Sequence, residues 1–150
     1  MNLRLAEEGD LAFVSLLSRS FRRFGPYEEI IPKWFRDRWV RTYILEENQQ
    51  PIAFFMLGLM LPVWFSRVLD LMAIAVVPER RSCGIGTYLV ETAKGIALAH
   101  GYRLLRAHVG CDNAPALALF RKTGFRLKKR IENYYPSGLP AYEFVAELGK

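Results

Sequence analysis

The chain has 150 residues, of which 51% are hydrophobic, with a formal charge of +6, two cysteines and two histidines. Length and balance predict one folded domain over residues 1–150 with a full-sized core, and they exclude a disordered chain. Cys83 and Cys111 lie far apart with no metal-ligand spacing, so no metal site is expected and both should be free thiols in a reducing compartment.

The basic excess leaves nucleic acid, a membrane surface or an anionic cofactor open as partners. No apolar run reaches the ~20 residues of a membrane span. Ile52 to Phe65 comes nearest, and Gly58 and Pro62 interrupt it. The N-terminus lacks a charged-then-apolar signal pattern, so a cytoplasmic protein is expected.

In chain order, Leu3 and Leu5 alternate with polar neighbours as a short strand. Asp10 is read as the N-cap of a helix running to about Arg23, closed by Gly25-Pro26. A second helix should span Glu28 to Arg38 despite Pro32; its aromatic side, Trp34, Phe35 and Trp39, suits either the core or a groove wall. Val40–Leu45 and Ile52–Leu59 flank a polar stretch, Glu46 to Pro51, and read as a hairpin. Pro62 opens a loop whose Trp64 and Phe65 suit a dimer patch or a covered loop.

Leu69 to Val77 is a strand that runs into a glycine turn. A helix follows, with Ile85, Leu89, Ala93, Ile96 and Ala97 on one stripe, ended by His100-Gly101. Arg103–Val109 is the next strand, and the helical crossover makes it parallel to the one before. Asn113 caps a short helix to about Thr123, with Pro115 in its first turn. Phe125–Ile131 and Ala141–Leu148 form a last hairpin around Tyr134-Tyr135-Pro136-Ser137-Gly138. The dense basic run Arg126 to Arg130 reads as a solvated strand face, with contact to a phosphate or a large partner as the alternative. The order is β-α-α-β-β-β-α-β-α-β-β.

The glycine turn carries the first chemistry. Two glycines and two arginines between a strand and a helix build an anion site: backbone N–H groups approach a phosphate, the helix N-terminus adds partial positive charge, and arginine adds bidentate contacts. The Gly-Lys-Ser/Thr ending of a P-loop is missing, and Leu89 and Val90 stand where the third glycine of a dinucleotide fingerprint would fall.

Arg81-Ser82-Cys83-Gly84-Ile85-Gly86 matches the R/Q-x-x-G-x-G/A signature of the GNAT acetyltransferases. Asn113-x-x-Ala116-x-x-Leu119-Phe120-x-x-x-Gly124-Phe125 matches their N-x-x-A-x-x-L-Y-x-x-x-G-F helix. With the element order, the chain resembles the GNAT fold over essentially its whole length. That resemblance implies an α/β (α+β) fold: a mixed central sheet of about seven strands with about four helices. It implies acetyl-CoA as co-substrate, its pyrophosphate held by Arg81 to Thr87 and its pantetheine arm beside Asn113 and Phe120. Backbone N–H groups of Ile74, Ala75 and Val76 would polarise the thioester carbonyl.

Within that superfamily three features look like the protein N-terminal, ribosomal-protein-alanine type acetyltransferases. His108 stands five residues before Asn113, where those enzymes carry Glu or His. Asn133-Tyr134-Tyr135-Pro136 resembles their tyrosine-rich hairpin over the substrate. Phe24-Gly25-Pro26-Tyr27 resembles their first substrate loop. Two departures stand beside these: no acidic pair near Ala141, and Phe120 where the family carries a tyrosine that protonates the leaving thiolate. Tyr134, Tyr135 or water would then take over that task.

An α-amine titrates near 7.7–8.0 and a lysine near 10.4, so deprotonation at neutral pH costs about 1 kcal/mol for the first and about 4–5 for the second. A weak base therefore suffices for an α-amine. His108 is the first candidate, since an imidazole in water titrates near 6.5, and an interior, hydrogen-bonded histidine is the alternative. Asp70, eleven residues before Arg81, matches the offset of the catalytic glutamate in the histone-acetylating branch; an aspartate at a strand end is its alternative. The expected function is N-acetylation of a peptide N-terminal α-amine, with Phe24, Tyr27, Tyr134 and Tyr135 on the acceptor. The alternatives are a small-molecule amine, a lysine side chain, or a non-catalytic CoA-binding sensor. No nucleic-acid or membrane partner is expected, and monomer and homodimer stay open.

Overall fold

The computed structural model describes residues 1–58 and 67–149. Trp64 and Phe65, with the patch they suggested, lie outside the described residues.

β1 (Asn2–Leu5) is followed by α1 (Leu11–Leu17), α2 (Tyr27–Arg36), β2 (Val40–Glu47), β3 (Gln50–Gly58) and β4 (Val68–Val76). Then come α3 (Ile85–Ala99), β5 (Leu104–Gly110), α4 (Ala114–Lys122), β6 (Arg126–Ile131) and β7 (Ala141–Glu147). Among the described residues one sheet holds seven strands in the order β1-β2-β3-β4-β5-β7-β6. β4 and β5 are parallel, as the helical crossover requires, and the other neighbours are antiparallel. The fold is thus the mixed α/β arrangement expected.

Two apolar layers sandwich the sheet. On one face Leu45, Phe55, Leu57, Leu71, Leu105 and Phe144 meet Leu89, Val90 and Ala93 of α3 and Phe120 of α4. On the other, Ile44, Phe54, Met56, Ala73 and Ala75 meet Val14 and Leu17 of α1 and Ile31 of α2. Leu105, Ala107 and Val109 point to the first face, so period-two alternation sends Arg106, His108 and Gly110 to the second. There α1 and α2 give way to the functional cleft.

Local chemistry shifts three boundaries. Asp10 stands at the N-cap of α1, but its side chain makes no cap bond and the α-helix ends at Leu17. A 3₁₀ turn, Glu8–Asp10, precedes it with Glu7 at its own N-cap, the Glu7 N–H donating to Asp10 Oδ2 at 2.7 Å. Arg4 Nη1 and Nη2 donate to both Asp10 oxygens at 2.8 and 2.9 Å and hold the carboxyl below the usual range. Two charged donors on β1 outbid the helix end for the carboxylate. After Leu17 the helix tightens into a 3₁₀ segment, Ser18–Phe24, where Ser18 and Ser20 hydroxyls donate back to the Ser15 and Leu17 carbonyls. The β2–β3 loop is two residues rather than six. Asn48 and Gln49, at φ 52° and 65°, both enter the left-handed region, the turn whose twist suits a hairpin. Pro51 therefore sits within β3, next to a register shift that accommodates its missing N–H.

Arg126 to Arg130 lie exposed on β6, an edge strand, as a solvated face would. Cys83 and Cys111 are both free thiols. Among the described residues no helix is long and apolar enough to cross a membrane.

Candidate active site

β4 pairs with β5 only from Val68 to Asp70, opposite Leu104 to Arg106, although β4 runs on to Val76 and β5 to Gly110. Two features drive them apart. The β3 register skips Met72, pairing Met56 with Ala73 and Leu57 with Leu71, a bulge that bends and twists β4. β5 meanwhile pairs with β7 along its whole length. A cleft of about 160 Å³ opens between the diverging strands. Of the residues singled out in the sequence, Asp70, Ile74, His108, Asn113, Phe120, Phe24, Tyr27, Tyr134 and Tyr135 all line it. Ala75 and Val76 lie beyond its lining on β4, and Arg81 to Thr87 form the loop and first turn that lead into α3.

The cleft floor is polar. Arg106 donates from Nε and Nη2 to the two Asp70 oxygens at 2.7 and 3.0 Å, so that buried carboxylate is fully engaged. This contact raises the Arg106 pKa further. His108 Nε2 lies 2.9 Å from Glu143 Oε1, and Lys128 Nζ approaches the other Glu143 oxygen at 3.9 Å. The Tyr134 ring stacks on His108 with centroids 4.6 Å apart. Burial pushes the Tyr134 phenol up to about 12, so it is neutral at physiological pH and can only be a proton donor or a hydrogen-bond partner.

Glu143 is a site residue that sequence reading passed over. Its one signal was a lone carboxylate in the otherwise apolar run Ala141 to Ala146. Its partner could not be read without knowing that β7 inserts between β5 and β6.

The opposite wall is aromatic. Tyr135 packs on Phe24 at 4.6 Å and on Tyr27 at 6.3 Å, and Tyr27 meets Trp34 at 6.0 Å. Burial raises the Tyr27 and Tyr135 phenols as well. Of the aromatic side of α2, Trp34 reaches the cleft, Phe35 packs in the core, and Trp39 lies outside the helix and exposed. The wall joins two distant segments. Ser137 N–H donates to the Phe24 carbonyl at 3.1 Å. At Gly110 an added Cβ would stand 2.5 Å from Phe24 Cε1, so only glycine lets this ring lie over the end of β5.

Outside the cleft lining, Gly84 stands at the N-cap of α3, in the left-handed region at φ 80° and ψ 1°. Gly84 has no side chain to cap the helix, and no side-chain cap bond is made there. The first-turn N–H groups of Ile85, Gly86 and Thr87 therefore lack intrahelical acceptors. No acidic residue sits in that turn. Arg80 is committed to Glu47. Arg81 is exposed, its Nε donating to the Val76 carbonyl at 3.1 Å. Asn113 caps α4 as expected, its Oδ1 accepting from Ala116 N at 3.4 Å. Phe120 is buried, edge-on to Phe125 at 5.0 Å, and brings no hydroxyl.

The model of the acetyltransferase (GNAT) family matches residues 11–125, which include the α3 turn, the floor of β5 and the α4 motif. The chain belongs to that family. An uncharacterized N-acetyltransferase of Methanocaldococcus jannaschii is 27% identical over 135 residues, covering 81% of this chain and 58% of that protein. An N-alpha-acetyltransferase of Sulfurisphaera tokodaii is 34% identical over 77 residues, 51% of this chain and 46% of its own length. The chain thus spans about half the length of the curated relatives it matches. The crystal structure of a ribosomal-protein-alanine N-acetyltransferase from Brucella melitensis superposes with a TM-score of 0.85 at 20% identity, covering 99% of this chain and 100% of that one. At that identity the likeness shows the GNAT fold alone. Among the described residues of this GNAT chain, no three His, Cys, Asp or Glu side chains converge to hold a metal ion.

Proposed function

We propose that this GNAT chain transfers an acetyl group from acetyl-CoA to a primary amine, and that the amine is the α-amino group of a peptide N-terminus. One observation carries the reading: His108 and Tyr134 stack in a cleft that opens between the diverging ends of β4 and β5 and is walled by Phe24, Tyr27, Trp34 and Tyr135.

The residues fit the donor. Gly84 to Thr87 present free N–H groups and, with Arg81, Ser82 and Cys83, would hold the pyrophosphate. Ile74 to Val76, released from β5, would offer main-chain N–H groups to the acyl oxygen. Asn113 and Phe120 would flank the arm between them. When bound, acetyl-CoA supplies the acyl group as a thioester. The chain's own side chains move the protons. His108 would accept one from the attacking amine, and the neutral Tyr134 phenol, whose ring stacks on His108, would donate to the departing sulfur, since Phe120 has no hydroxyl. Both oxygens of Asp70 accept from Arg106, so Asp70 organises the floor, and His108 ranks before it as the base.

The acceptor follows from the walls. Phe24, Tyr27, Trp34 and Tyr135 would take an apolar first residue, and the hairpin carrying Tyr134 would cover the peptide behind it. A polyamine needs an unpaired acidic pocket. Among the described residues the acid that lines the cleft, Asp70, is already paired with Arg106, and Glu143 beside His108 is held by His108 and Lys128.

The test is thiol release from acetyl-CoA with short peptides that differ in residue one, each with a free or a blocked N-terminus. Activity should vanish on blocking and be greatest for apolar first residues. Equal turnover of blocked, lysine-containing peptides would move the acceptor to a side chain. Binding of acetyl-CoA without turnover of any amine would contradict the enzymatic reading altogether.

A further inference from the structure

We propose that Glu143 is a positioning residue: it holds His108 as a dyad, accepting the Nε2–H so that Nδ1 is the nitrogen that takes the acceptor's proton. This rests on the reading of the cleft as an acetyl-transfer site.

Glu143 and His108 are directly opposed in register on β7 and β5, so their side chains leave the sheet on the same face. Their side chains are 7% and 14% exposed, and Nε2 lies 2.9 Å from Oε1. An ionised carboxylate can only accept, so the ring nitrogen facing it must carry the proton. In a neutral imidazole the lone pair then resides on Nδ1, and His108 lines the cleft. The ring has little freedom to turn away, because Tyr134 is stacked on it.

A buried carboxylate is costly unless paired. Here Lys128 of β6 approaches its second oxygen at 3.9 Å while remaining 56% exposed. A chain of charge thus runs from solvent to the cleft: Lys128, Glu143, His108. The other charged or titratable groups around this floor are Arg106 of β5, Asp70 of β4, Tyr134 of the hairpin and Tyr27 of α2. When the amine attacks, its N–H bond breaks and an Nδ1–H bond forms, leaving an imidazolium. The Nε2 proton stays on the ring, and the hydrogen bond to the Glu143 carboxylate becomes an imidazolium–carboxylate ion pair in that step.

Long-range proton–nitrogen NMR on the His108 ring, together with kcat and KM for wild type, Glu143→Gln and Glu143→Leu, tests the dyad. The wild-type ring should be protonated at Nε2. Glu143→Leu should lose that preference and lower kcat by about 10- to 100-fold, with KM for acetyl-CoA within about twofold. Glu143→Gln keeps the packing, but its amide can donate as well as accept. It should give mixed tautomers and a smaller loss of kcat. A wild-type ring protonated at Nδ1, or wild-type kcat in both variants, would overturn the dyad. Wild-type turnover by His108→Ala would instead overturn the reading of the cleft, and the NMR result would still report separately on the Glu143 contact.

Discussion

Replacing His108 with alanine should lower kcat by about 10²- to 10³-fold, or about 3–4 kcal/mol of barrier, and leave the KM for acetyl-CoA within about twofold. The selectivity follows from position. His108 lies on β5 at the cleft floor, while the helix turn proposed to hold the pyrophosphate begins at Gly84, so the substitution removes a proton acceptor and no proposed donor contact. Stability should fall as well: the ring gives up a stack with Tyr134 worth about 1 kcal/mol, and buried Glu143 loses its 2.9 Å partner and is left with Lys128 at 3.9 Å. Glutamine at 108 offers an alternative that fills more of the space and still cannot accept a proton at neutral pH. Steady-state kinetics alongside thermal melts separates the effects. An alanine variant with more than half of wild-type kcat would remove His108 from the mechanism.

Thr87→Glu should raise the KM for acetyl-CoA by about 10- to 100-fold without lowering the melting temperature. The two readouts are driven in opposite directions by one charge. Thr87 is the third residue of α3, in a first turn with no acidic residue and no side-chain cap. A carboxylate there meets the positive end of the helix and stabilises it by about 0.3–1 kcal/mol. The same carboxylate repels a pyrophosphate at those N–H groups by about 1.4–2.8 kcal/mol, on the order of a Coulomb interaction across a few ångströms of solvated surface. Added salt should shrink the KM effect, since the turn is open to solvent. A raised KM accompanied by a fallen melting temperature would mean a damaged helix rather than a displaced anion. An unchanged KM would place the donor phosphates elsewhere.

What could be read from the chain alone was what short spacing determines. The Arg81 to Gly86 turn, the Asn113 cap and the parallel relation of β4 and β5 each depend on a few neighbouring residues or on the handedness of one crossover. Asp10 stands at the N-cap of α1 as read, but its carboxylate answers to Arg4, a residue on β1, rather than to the helix that follows. The Asn48-Gln49 turn was overlooked because it takes two non-glycine residues into the left-handed region, where glycine is the usual signal. The residues that line the cleft could be picked out individually, and their connections could not. Nothing local ties His108 to Glu143, which lies 35 residues on and meets it only because β7 enters the sheet between β5 and β6. Phe24 and Gly110 are likewise fitted to each other across the fold.

The most direct measurement is a crystal structure of the protein with a bisubstrate conjugate, a short peptide whose α-nitrogen is joined through an acetyl bridge to the sulfur of CoA. The account predicts the pyrophosphate on the N–H groups of Gly84 to Thr87 and the bridge between the diverging ends of β4 and β5. It further predicts the peptide nitrogen within hydrogen-bond reach of His108, directly or through one water, and the first side chain against Phe24, Tyr27 and Tyr135. A conjugate that seats its pyrophosphate on α3 but turns the peptide away from His108 and the aromatic wall would contradict the proposed acceptor. One that leaves the α3 turn empty would contradict the site itself.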